Sequence, residues 1–183
     1  MADSDGDVVT LLLKQHELIR ELFDEVTRQE GAARRDAFER LVRTLTVHET
    51  AEEEIIHPYA RRHLEKGEHV VGQRLDEEKQ AKEALSALER MDPHDPDFAT
   101  RLEALRQDVE AHSAAEERDE FHCLQQITDN RDRRALAAGI KAAEKIAPTH
   151  PRPGTESGVK AAALGPLAAV ADRTRDAIRG AVR

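Results

Sequence analysis

Residues 38–59 read FERLVRTLTVHETAEEEIIHPY, and their spacing decides the fold. Phe38, Leu41, Leu45, His48, Glu52, Ile55 and Tyr59 recur every three or four positions, the period of one face of an α-helix. That face begins apolar and turns polar at His48 and Glu52, residue types a buried stripe rarely carries unpaired. The same period runs on either side. Leu12, His16, Ile19, Phe23 and Val26 mark an earlier helix. Val71, Leu75, Glu78, Ala81, Leu85 and Leu88 mark a third, and Phe98, Leu102, Leu105, Val109, His112 and Glu116 a fourth. Gly31, Gly67 and the stretch MDPHDPDF (Met91 to Phe98) separate them. Short connections between long helices make neighbours antiparallel, so the spacing predicts an all-α, up-down-up-down four-helix bundle. A further stretch, Arg133 to Ile146, reads as a short fifth helix against one end. No segment alternates as a strand would.

Composition agrees with a helical chain. The 183 residues hold 37 acidic and 28 basic side chains, a net charge of −9, and only five aromatics. A polyanion gains nothing from counterion release on a duplex, so nucleic acid is not expected as a partner. No apolar run approaches the ~18–20 residues of a membrane span, and the start, MADSDGDVV, lacks a basic-then-apolar signal pattern. A single cysteine, Cys123, excludes an internal disulfide, and the expected location is cytoplasmic. Charge shifts at PTHPRPG (Pro148 to Gly154). Residues 148–183 carry six basic and three acidic groups, whereas residues 1–147 carry 22 basic and 34 acidic ones. The reading is a folded bundle over 1–147, then a Pro-rich linker and an Ala-rich basic tail helix over 148–183.

Six polar side chains break the apolar stripes at mid-helix: His16, His48, Glu52, Glu78, His112 and Glu116. Buried without partners, each would cost several kcal/mol, roughly, and an ionised carboxylate more. A pair of divalent or trivalent cations compensates them directly, neutralising the carboxylates and accepting the imidazole nitrogens. His-x-x-x-Glu places both side chains on one helix face a turn apart. Among nine histidines and 22 glutamates that spacing is expected about once by accident, and it occurs twice. Position gives it meaning. Both pairs lie on the stripe, both read H-x-x-x-E-E, and each follows a leading polar residue, His16 or Glu78, by 32 or 34 positions. The body is a doubled helix pair that suits two ions on a pseudo-twofold axis.

With KQHEL (Lys14 to Leu18), VHETAEEEIIHP (Val47 to Pro58) and VEAHSAAEERDEF (Val109 to Phe121), the chain resembles the hemerythrin-like, or HHE cation-binding, family over roughly residues 8–126. The resemblance implies a four-helix bundle holding a non-haem di-iron centre, two Fe ions with an oxo or hydroxo bridge. It makes His16, His48 and His112 terminal ligands, and Glu52 and Glu116 bridging carboxylates. The third helix departs from the pattern: Glu78 stands where the family usually has a histidine, and Lys82 where oxygen carriers have a second. Glu78 is expected to fill the gap, with its neighbour Glu77 as the alternative. Three imidazoles and three carboxylates form a harder, more anionic set than five imidazoles, one that favours the ferric state. The donor set alone does not separate iron from manganese or zinc.

His57 lies nine residues after His48, as Phe121 lies nine after His112, and reads either as a gate or proton shuttle or as a packing histidine. Tyr59 reads either as a hydrogen-bond donor to a metal-bound oxygen or as core, and Asp119 as an acceptor for a ligand imidazole or as surface. His63, His69, His94, His122 and His150 are expected in solvent. The functional expectation is a di-iron redox protein reacting with O2, hydrogen peroxide or NO. Catalase-like peroxide decomposition or an oxidative-stress role is favoured over O2 transport because the helix-three histidines are missing. The alternatives are an oxygen, redox or iron sensor or iron-handling module acting through a partner, and a metal-free structural bundle.

Overall fold

The computed structural model describes residues 6–154; the expected tail helix lies outside them. Four long helices form the body: α1 (Val8–Arg28), α2 (Gly31–His63), α3 (Gly67–Glu89) and α4 (Pro96–Glu116). The α4 helix runs on through a π-helical turn (Glu117–Phe121) into α5 (His122–Ile127), and α6 (Asn130–Ile146) follows. Among the described residues there is no strand. The all-α bundle expected from the spacing is what the chain forms.

Local chemistry sets the ends. The Asp7 carboxylate accepts from Val9 N at 3.0 Å and Thr10 N at 3.2 Å and so caps α1. Asp95 caps α4 ahead of Pro96, and Asp129 caps α6 through the amides of Arg131 and Asp132. Gly31 adopts φ +58°, which lets α2 begin after only two intervening residues. At Gly67 a Cβ would lie 2.5 Å from the Ala60 carbonyl oxygen, so the tight α2–α3 turn requires the missing side chain.

The apolar stripes meet in two clusters. One holds Ile19, Phe23, Phe38, Leu41, Leu85, Phe98 and Leu105; the other holds Val8, Leu12, Ile56, Phe121, Leu124 and Ile140. His16 falls between them on α1, one turn from Leu12 and less than one from Ile19. A polar layer is therefore sandwiched between two oily ones. The α6 helix flanks the outer face of α1 and α2 through Ala137, Ile140 and Ala143.

Two stripes differ in detail from the sequence reading. On α3 the buried positions are Val71, Arg74, Glu78, Ala81, Lys82, Leu85 and Leu88, while Leu75 is only half-buried. On α2, Ile55 and Tyr59 pack against the α6-side cluster, and the neighbouring residues Ile56 and His57 are buried. The period is right, but α2 buries two faces because it touches both α3 and α6. His150, expected in solvent, is buried and bonded through Nδ1 to Glu89 at 2.6 Å, and Ala147 to Pro151 are buried with it.

Candidate metal centre

Each imidazole in the polar layer is held by one nitrogen. His16 Nδ1 is 2.9 Å from Glu117 Oε1, and His112 Nδ1 is 2.9 Å from Glu77 Oε2. His48 Nδ1 is 2.9 Å from Gln15 Oε1, whose amide nitrogen is in turn bonded to Glu144 of α6. All three partners are acceptors, so each ring donates through Nδ1 and turns Nε2 inward. That is the way proteins orient a ligating imidazole.

Inward, the three Nε2 atoms meet carboxylates. His48 Nε2 lies 3.2 Å from Glu52 Oε2, within the i,i+4 pair. Glu116 meets a different imidazole with each oxygen: Oε2 is 3.4 Å from His16 Nε2, and Oε1 is 3.3 Å from His112 Nε2. Glu49 Oε2 approaches His112 Nε2 at 3.9 Å. Ligand atoms of His16, His48, Glu52 and Glu116 lie within 4.8 Å of one another, as do those of Glu49, Glu78 and His112. The six residues singled out by the stripe are thus brought together, with Glu116 between the two groups.

The layer is buried and its polar atoms are poorly matched. Glu52, Glu78 and Glu116 are fully buried. Both oxygens of Glu52 and of Glu116, Glu49 Oε2, Glu78 Oε2, and Nε2 of His16 and His112 have no hydrogen-bond partner. Buried polar atoms almost always have one, so orphans gathered this closely have the donors to hold a cation. The side chains fit a metal cation.

Burial and neighbouring charges set the titration of the layer. Burial pushes the Glu49 carboxyl up to about 7, with Glu78 and Glu116 nearby adding to the rise. Burial likewise pushes Glu78 up to about 7 against the pull of His57. The Glu52 carboxyl is raised well above its ordinary range by burial, with Glu116 next. Burial and the neighbouring His16 hold His48 down at about 3. For His112, burial works downward, but Glu116 and Glu49 outweigh it and hold the ring well above its ordinary value.

Other residues stand as follows. Glu77 is half-exposed and braces His112 while pairing with Arg74 at 3.0 Å, so Glu78, not Glu77, faces the centre. Lys82 is buried in an ion pair with Glu53, its carboxylate neighbours keeping the ammonium charged against the cost of burial. His57 is buried and bonded through Nε2 to Glu78. Tyr59 points away: its ring stacks on His63 at 4.1 Å and faces Asp132 and Asp129. Asp119 pairs with Arg118 at the surface. Phe121 stacks on His16 at 5.4 Å. Between α3 and α4 a cleft of about 160 Å³, bordered by Ala81, Asp108 and Ala111, reaches Glu49 and His112 from outside.

Sequence reasoning missed Gln15, Glu49, Glu53, Glu117 and Glu120. Each stands beside a stripe residue or in an acidic run (HETAEEE, EERDE), and such runs read as solvated surface.

Comparison with known proteins places this geometry. Residues 7–124 match the family described as Hemerythrin HHE cation binding domain. The fold is similar to that of a hemerythrin HHE cation-binding domain-containing protein from Mycobacterium kansasii, with a TM-score of 0.66 at 19% identity. That likeness covers 76% of this chain and 85% of the other. No curated protein shows a significant match to the chain.

Proposed function

The chain belongs to the hemerythrin HHE cation-binding domain family, and from that premise we propose that it is a non-haem di-iron protein that decomposes hydrogen peroxide. One ion would be held by His16, His48, Glu52 and Glu116. The second would be held by Glu78 and His112, with Glu49 as a further donor and Glu116 within reach of both. The observation that carries the reading is Glu116, whose two unpartnered oxygens face imidazoles from opposite halves of the bundle. A carboxylate disposed in that way could serve two cations at once.

When bound, a pair of iron ions supplies the reversible two-electron chemistry that takes two molecules of peroxide to O2 and two of water, for which side chains have no equivalent. The chain's own residues do the rest. Glu117, Gln15 and Glu77 fix the three rings in the tautomer that exposes Nε2. The apolar clusters above and below shield the layer on those two sides. The narrow cleft between α3 and α4 suits an oxidant of a few atoms. Carboxylates in place of helix-three imidazoles favour the higher oxidation state, which supports peroxide turnover rather than reversible O2 carriage.

The test begins with metal analysis after anaerobic iron loading, which should return two irons per chain. Peroxide is then added and oxygen evolution followed, with Glu52→Ala as control. Oxygen release no faster than from free iron would remove the peroxide reading. A chain that binds no metal would remove the whole of it.

A further inference from the structure

Two buried groups supply no ligand to the centre described above, although His57 bonds its Glu78. Glu120 is fully buried and neither of its oxygens has a hydrogen-bond partner. His57 is buried as well, and its Nδ1 is likewise unpartnered, 3.6 Å from Glu120 Oε2. Ligand atoms of His57, Glu120 and Glu116 lie within 4.8 Å of one another.

The His57 ring repeats the arrangement of the three ligating imidazoles with its nitrogens exchanged. Nε2 is bonded to a carboxylate, Glu78, and Nδ1 is left facing two more carboxylates. An imidazole braced on one side and open on the other toward orphaned oxygens is an oriented ligand. Glu120 reaches this place through the π-helical turn Glu117–Phe121, in which α4 widens just beyond Glu116. Such insertions are frequent at functional sites because they re-aim a side chain without ending the helix.

We propose that His57, Glu120 and Glu116 form a third cation position, next to the dinuclear pair and sharing Glu116 with it. It takes a divalent first-row metal ion, since imidazole and carboxylate suit iron, manganese, cobalt and zinc alike. It binds more weakly than the pair, because one of its three donors is already engaged. The inference rests on the metal reading of the centre, and its failure can be told apart from failure of that reading.

The probe is cobalt(II), added to the metal-free full-length chain under equilibrium dialysis and, in crystals, located by anomalous scattering. Wild type should bind three ions, two tightly and one more weakly. A density peak about 2.0–2.3 Å from His57 Nδ1 should mark the third, a usual metal–imidazole or metal–carboxylate distance. Glu120→Gln and His57→Asn should each bind two. If wild type binds two, with no peak beside His57, the third position is overturned and the dinuclear centre stands. Three ions retained in Glu120→Gln, or all lost from it while it stays helical, also overturns it. Should neither variant fold, the wild-type map decides alone. A chain that takes no cobalt fails both readings together.

Discussion

Glu116 stands where the two halves of the bundle meet, and single substitutions there should show the coupling. Burial works to raise its carboxyl, but His112 and then His16 outweigh burial and hold it well below the usual range. Glu116→Ala should lose both tightly bound ions, whereas His112→Leu should lose one; metal stoichiometry after dialysis checks this, and equal losses would mean the halves are not separate sites. Protons report the same layer. Glu49 and Glu78 keep theirs up to about 7 in the metal-free fold but have an ordinary value of 4.5. The folded chain thus binds more protons than the unfolded one between those values, and metal-free stability falls as pH rises through that window. His48 acts oppositely between about 3 and 6.5, so the net fall is to be read above pH 6.5, as a melting temperature that drops toward pH 8. Metal loading must expel the same protons, so calorimetry in two buffers should find more released at pH 6 than at pH 8.5. Lys82 gives a third residue-scale expectation. Lys82→Met leaves Glu53 as a lone buried charge and should cost about 3–5 kcal/mol in chemical denaturation. Adding Glu53→Leu should recover most of that, since a well-packed apolar pair often replaces a buried ion pair without loss.

At the scale of the helices, what was legible in sequence and what was not follow from period. His48, Glu52, His112 and Glu116 could be found because four helices keep a regular three-and-four spacing, and a polar residue on that stripe stands out. Glu120 could not, because the widened turn at Glu117–Phe121 has no signature in apolar spacing and EERDE reads as surface charge. Arg74 and Lys82 were hidden for another reason: long basic side chains on a stripe are normally read as its edge, and their acidic partners come from across a helix–helix contact or from a neighbouring turn. Tyr59 packs against the α6-side cluster, because α2 serves two neighbours and a period cannot say which face meets which. One junction of elements is directly testable. Asp7 caps α1 and also accepts from Arg133 Nε of α6 at 2.7 Å. Asp7→Ala should therefore cost more than a cap alone, about 1–2 kcal/mol by denaturation, with Arg133→Ala recovering nothing when combined with it.

For the molecule as a whole, the polar layer between two apolar clusters makes stability depend on what fills it. A cation that binds only the folded chain adds about 4 kcal/mol at a thousandfold excess over its Kd. For a chain of this size that is a rise of roughly 8–16 °C in melting temperature. Differential scanning fluorimetry with and without chelator reads it directly; an unchanged midpoint would leave the orphaned atoms of the layer without an explanation. Phe98→Ala, in the cluster remote from α6, should instead lower stability by about 3–5 kcal/mol with or without metal, and leave the number of bound ions as it was.

The link from Glu144 through Gln15 to His48 gives α6 a consequence beyond packing. A helix outside the bundle steadies a ring at its heart by way of one amide. Peeling that helix away would loosen the imidazole's swivel before it disturbed any apolar contact between the four long helices.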